Sequence, residues 1–180
     1  MLQIKVEATE LWDELNQQFI NVKEQTLRLE HSLTSLSKWE SKWCKSFFDK
    51  EDKTDEQIID YIKCMTLDRN VDPNAYRCLS DKNVMTIRDY IEAPMTATTF
   101  SDNKKGMSRD VITSELIYYW MIALNIPFDP CQKWHLNRLI TLIRVCEIKN
   151  QPAKKMSKQE IIARNAALNA ERRQKFNTKG

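Results

Sequence analysis

Leu2, Ile4 and Val6 alternate with Gln3, Lys5 and Glu7, the period of two that a half-buried strand requires. Leu27 and Leu29 repeat it between Thr26, Arg28 and Glu30, and the polar stretch at Asn16 and Gln17, between Trp12 and Phe19–Ile20, predicts a turn joining shorter strands. Residues 1–31 therefore read as a small antiparallel meander. A few strands are marginal alone, so the apolar face of this meander must lie on helices.

After Ser32 the period becomes helical, with Leu33, Leu36, Trp39 or Glu40, and Trp43 near one face and Phe47 a turn later. Thr54-Asp55-Glu56-Gln57 is a capping box, whose hydroxyl and amide satisfy orphan N–H groups at a helix start, and Ile58, Ile62 and Met65 form the stripe that follows. Asp72-Pro73 predicts a capped short helix through Tyr76 and Cys78. Ser80 or Asp81 opens another, striped by Val84, Ile87 and Ile91 and closed by Pro94, and residues 95–107 lack helical period and read as a surface loop.

Helix is expected to resume near Ser108 to Asp110 and to carry the run Leu116 to Leu124, which is apolar all round and therefore predicted to sit at the centre of the core. Asn125-Ile126-Pro127 stops it. Asp129-Pro130-Cys131-Gln132 predicts a cap and first-turn proline for a further helix, striped by Leu136, Leu139, Ile140, Ile143 and Cys146 and broadened by Trp134, Leu142 and Val145. These two helices are expected to pair as an antiparallel central hairpin, in which Trp120→Ala or Trp134→Ala would cost about 3–5 kcal/mol. Beyond a linker at residues 151–155, Ser157-Lys158-Gln159-Glu160 is a second capping box, opening a helix to about Lys175 with only Ile161, Ile162, Leu168 and alanines to bury. Its docking on the body should be weak.

The fold class is α+β, mostly α: the N-terminal meander packed on a bundle of about five to six helices, with a basic C-terminal helix. Residues 1–148 form the body, with strands in 1–31 and helices in 32–148, and residues 149–180 form the arm.

Composition narrows the chemistry. The chain holds only 2 glycines in 180 residues, Gly106 and Gly180, so no glycine-rich phosphate loop or dinucleotide fingerprint can be built. His31 and His135 belong to no metal motif, and the 5 cysteines are scattered singly, which reads as reduced cytosolic thiols. The longest apolar run is about half of the roughly 20 residues that cross a membrane. No metal, cofactor or catalytic residue is expected.

Charge is divided unevenly. Residues 149–180 hold nine bases against two acids, +7, and the rest holds 19 bases against 23 acids, −4, within a net +3. The arm is the first candidate for an anionic or protein partner, through Lys154, Lys155, Lys158, Arg164, Arg172, Arg173 and Lys175. Three readings stand: a solvated helix, a nucleic-acid binder that displaces counterions but has only Phe176 to stack on bases, or a helix that docks another protein. Elsewhere, Cys131 and His135 share a helical spacing but lack further ligands and read as core. Asp49, Glu51 and Asp52, and Asp55, Glu56 and Asp60, read as solvated charge. Trp39 and Trp43 could line a partner groove, but core packing against the meander is the simpler reading. Trp39, Trp43, Trp120, Trp134, Leu139 and Ile143 are the expected core.

The stretch Leu116-Ile117-Tyr118-Tyr119-Trp120-Met121-Ile122-Ala123-Leu124-Asn125-Ile126-Pro127-Phe128, with Gln132-Lys133-Trp134-His135-Leu136-Asn137-Arg138-Leu139, resembles the tail assembly chaperones of long-tailed bacteriophages. Leu29-Glu30-His31-Ser32-Leu33, Ser37-Lys38-Trp39-Glu40-Ser41-Lys42-Trp43, Lys154-Lys155-Met156-Ser157-Lys158 and Arg164-Asn165 with Leu168-Asn169 are also similar to that family. The resemblance implies a non-catalytic helper in the host cytoplasm, not expected in the mature virion. It would bind the tape measure protein, keep it soluble and recruit tail tube protein. It would also have a longer frameshifted form of itself as a partner, and a homo-oligomeric state fits such a role. No binding residue is transferred by position.

Overall fold

A computed structural model describes residues 1–14, 16–100, 111–151 and 158–177. Strands β1 (Leu2–Val6), β2 (Thr9–Asp13), β3 (Gln18–Val22) and β4 (Gln25–Leu29) come first. Their pairing is nested: β1 runs antiparallel to β4, with Leu2 opposite Leu29, and β2 to β3, with Trp12 opposite Phe19. The alternation places Ile4, Val6, Leu27 and Leu29 on the buried face, as the period of two requires.

Helices α1 (Leu33–Trp43), α2 (Asp55–Met65), α3 (Asp81–Glu92), α4 (Ser114–Ala123), α5 (Phe128–Cys131), α6 (Leu136–Asn150) and α7 (Lys158–Phe176) follow, with a 3-10 turn at Pro73–Cys78 after α2. The arrangement is α+β and mostly α. Ser32 with Ser35, and Thr54 with Gln57, close reciprocal capping boxes on α1 and α2. Asp72 caps the 3-10 turn and Ser80 caps α3. Two compact units result, Met1–Glu147 and Ile148–Gly180.

In the first unit α1 is central, flanked by α2 and α4. The ribbon is tied to the end of α2 by main-chain bonds, Glu30 N–H to Met65 O at 2.9 Å and Leu67 N–H to Arg28 O at 2.9 Å, and by the Arg28–Asp68 ion pair. Trp39 is buried in the core: it packs on Phe47 and Tyr61 and its Nε1–H donates to Gln57 O at 2.9 Å. Leu139 and Ile143 are buried as expected, whereas Trp43, Trp120 and Trp134 are half-buried at the edge of the core.

Four expectations about the helices fail for identifiable reasons. The run Leu116 to Leu124 is not central: α4 buries Ser114, Ile117 and Met121 against α1 and turns Tyr119 and Ile122 to solvent at 61% and 63% exposure. Nor does α4 form a central hairpin with α6. Asp129 is extended, as a cap must be, but only a short helical turn follows it, and the long helix begins at Leu136, because the intervening segment spends its main-chain groups on the start of α1. Leu136 N–H donates to His31 O at 2.7 Å and Thr34 N–H to Gln132 O at 3.3 Å. Val111 and Ile112 are not helical either, since Thr113 is the N-cap of α4. The earlier start expected at Ser108 to Asp110, the end of the loop expected at 95–107 and the hydroxyl cap at Ser157 lie outside the described residues.

Candidate interaction surfaces

Among its described residues the arm carries the helix α7, none of whose residues is buried. Lys158, Arg164, Arg172, Arg173 and Lys175 all lie on it; Lys154 and Lys155 lie outside the described residues. Ile161 and Leu168 are seven residues apart and Ile162 and Phe176 fourteen, so on a period of 3.6 the four share one exposed arc. Lys158 and Arg172 fall within that arc and Arg173 and Lys175 at its two edges, so the helix is basic and its apolar residues are interleaved with charge.

A second surface is on the body. The stripes foreseen on α2 and α3 face each other without closing, leaving an apolar groove of about 470 Å³. Ile58, Tyr61 and Ile62 supply one wall, Val84, Ile87 and Ile91 the other, and Phe47 part of the lining. Ile58 and Val84 stand 39% and 40% exposed at the opening. Two bases line it, and both are engaged: Lys53 Nζ lies 4.7 Å from the centre of the Phe47 ring, and Arg88 pairs with Glu92 at 3.2 Å.

The ribbon tip adds a feature that the strand pattern alone concealed. Trp12 and Phe19 are cross-strand partners with ring centres 4.9 Å apart, and both are exposed. The turn expected at Asn16 and Gln17 does lie between their strands, but neither their register nor their exposure was legible, because these depend on the exact pairing and on which face of the hairpin the helices cover.

The remaining polar groups inside the body are structural in their geometry. Glu40 is buried and accepts from Phe47 N–H at 2.9 Å and from Ser114 N–H at 2.7 Å, joining the loop after α1 to the first turn of α4. Asp60, expected among solvated carboxylates, is instead buried, with Lys42 paired to it and the Trp43 Nε1–H donating to it at 3.1 Å. His135 is held by its Nε2 on Tyr90 O at 2.9 Å, and its Nδ1 accepts from Asn137 N–H at 3.3 Å. His31, hydrogen-bonded to the Tyr61 hydroxyl, meets His135 edge-on with ring centres 5.2 Å apart.

Burial holds both imidazoles neutral. It lowers His31 from the ordinary 6.5 to about 3, with the neighbouring His135 adding to the effect, and it lowers His135, whose bond to Tyr90 O and nearby Glu30 act in the opposite sense. Cys131 is buried beside this region, and burial raises the Cys64 thiol. Among the described residues no three His, Cys, Asp or Glu side chains are grouped so as to hold a metal ion. No helix among them is long and apolar enough to cross a membrane.

No protein family, curated protein or solved structure matches the chain.

Proposed function

We propose that the protein is a non-catalytic assembly chaperone of a long-tailed phage, acting on the tape measure protein in the host cytoplasm. The observation that carries this reading is the amount of apolar surface left outside its own core: the α2–α3 groove, the outer face of α4 and the arc of α7. A tape measure chain offers long apolar helical faces before assembly, and such faces aggregate unless another surface covers them. Grooves between helices and amphipathic helices are the forms in which proteins take up helical clients reversibly. Delivery of tail tube protein, pairing with a longer frameshifted form and absence from the finished virion belong to the same proposal.

The test is coexpression with the very long, helix-rich reading frame that this role places beside its gene. Soluble client captured on the tagged protein supports the proposal. A client that precipitates in its presence refutes it, as does retention of nucleic acid at physiological salt with the client ignored, which would make the basic arm a phosphate binder.

A further inference from the structure

We infer that the outer face of the β2–β3 hairpin docks a cationic segment of another protein, whose arginine or lysine side chain is received by the Trp12–Phe19 pair. Alternation along the hairpin separates its two faces. Val22 is buried and Leu11 packs against the core on one side, whereas Glu10, Trp12, Phe19 and Asn21 are exposed on the other. Trp12 and Phe19 stand 48% and 66% exposed, with ring centres 4.9 Å apart and ring planes at 61°. That edge-on contact ties the two strands together, yet it leaves much of both rings open to solvent.

Charge selects the occupant. From Thr9 to Val22 the chain carries Glu10, Asp13 and Glu14 and no lysine or arginine. Asp13 is spent on the turn, where it accepts from the Asn16 main-chain N–H at 3.4 Å and from its Nδ2–H at 2.7 Å. Glu10 and Glu14 enter no ion pair among the described residues. Glu10 precedes Trp12 by two residues on the same side of β2, a separation of roughly 7 Å along the strand, so a cation over the indole lies within reach of the carboxylate. Tryptophan offers a cation the most favourable aromatic face, and the planar guanidinium of arginine can stack on it while keeping donors for Glu10. A nucleic acid or an anionic bilayer would meet like charge here. A wholly apolar helix would enclose Glu10 without a partner.

This face is distinct from the groove, α4 and α7, so the inference can fail while the chaperone reading stands. Its test titrates the full-length protein with an octapeptide of alternating arginine and threonine, whose arginines share one side when it is extended. Calorimetry gives the affinity, and the indole N–H resonance of Trp12, assigned by its loss in Trp12→Leu, reports the place. Saturable binding that moves this resonance and weakens as salt is raised is expected, with a lysine peptide binding less tightly and a glutamine peptide not at all. Trp12→Leu and Glu10→Gln should each weaken binding about two- to fivefold. Trp12→Leu also breaks the ring pair, so Glu10→Gln, which keeps both rings, decides the matter should the first variant lose the wild-type circular dichroism. Absence of saturable binding, binding that leaves the Trp12 resonance unmoved, or full wild-type affinity in Glu10→Gln would each overturn the inference. So would sedimentation in which the protein alone associates and Glu10→Gln dissolves the assembly, because the occupant would then be the basic arm of a second copy.

Discussion

Acid should loosen this protein well before its carboxylates are protonated, and the paired histidines are the reason. In the fold His31 is held neutral down to about 3, whereas in the unfolded chain it takes up a proton near 6.5. The folded state thus binds fewer protons than the unfolded state in that interval, and its stability is complete above 6.5 and falls as the pH falls toward 3. One such group costs at most about 1.4 kcal/mol per pH unit, so His31 alone removes about 2 kcal/mol between pH 6.5 and 5. His135 is shifted in the same direction and adds to the loss. The groups facing the pair are Tyr61 from α2, Tyr90 from α3, and Glu30, which receives the Tyr90 hydroxyl at 2.7 Å and the Met1 amino group at 2.7 Å. Urea unfolding at intervals from pH 7.5 to 5 reads the effect as a falling midpoint. His31→Gln, which cannot titrate, should begin lower at pH 7.5 through its lost contact with Tyr61 and then fall less steeply. A wild-type midpoint that is flat across this range, or a variant with the full wild-type slope, would refute the reasoning.

Two further outcomes follow from the buried groups. Glu40→Ala leaves the Phe47 and Ser114 N–H groups without their acceptor, at about 1–3 kcal/mol each, and should lower the urea midpoint far more than Glu40→Gln, which keeps one oxygen in place. Trp39→Ala removes a fully enclosed ring and its bond to Gln57 O and should cost about 3–5 kcal/mol, whereas Trp120→Ala, at the edge of the core, should cost clearly less by the same denaturation measurement.

Local elements were the readable part. Alternation at residues 2–6 and 26–30 located β1 and β4, because a strand with one face on a core must repeat every second residue. Thr54 with Gln57, Asp72 with Pro73, and Ser80 located three starts, because a cap acts within three residues of itself. The apolar stripes of α2 and α3 were equally plain. That they stop short of each other and leave a groove was not, since periodicity names the face of a helix and not the distance to its neighbour. Tyr119 and Ile122 show the same limit: their apolarity argued for burial, yet α4 has α1 on one side only. Asp60 ran the other way, a carboxylate on a polar stretch that tertiary packing enclosed and supplied with donors.

By itself, then, the sequence determined the strand ribbon, most helix starts, the class of fold and the division of charge between body and arm, all of which depend on neighbours a few residues away. Only the tertiary structure decided that residues 132–136 pair with 31–34 rather than extend a helix, that the two histidines meet, and that apolar side chains on α2, α3, α4 and α7 remain open. Those outcomes depend on which distant segments meet, and the free energy of such meetings is carried by groups far apart in the chain.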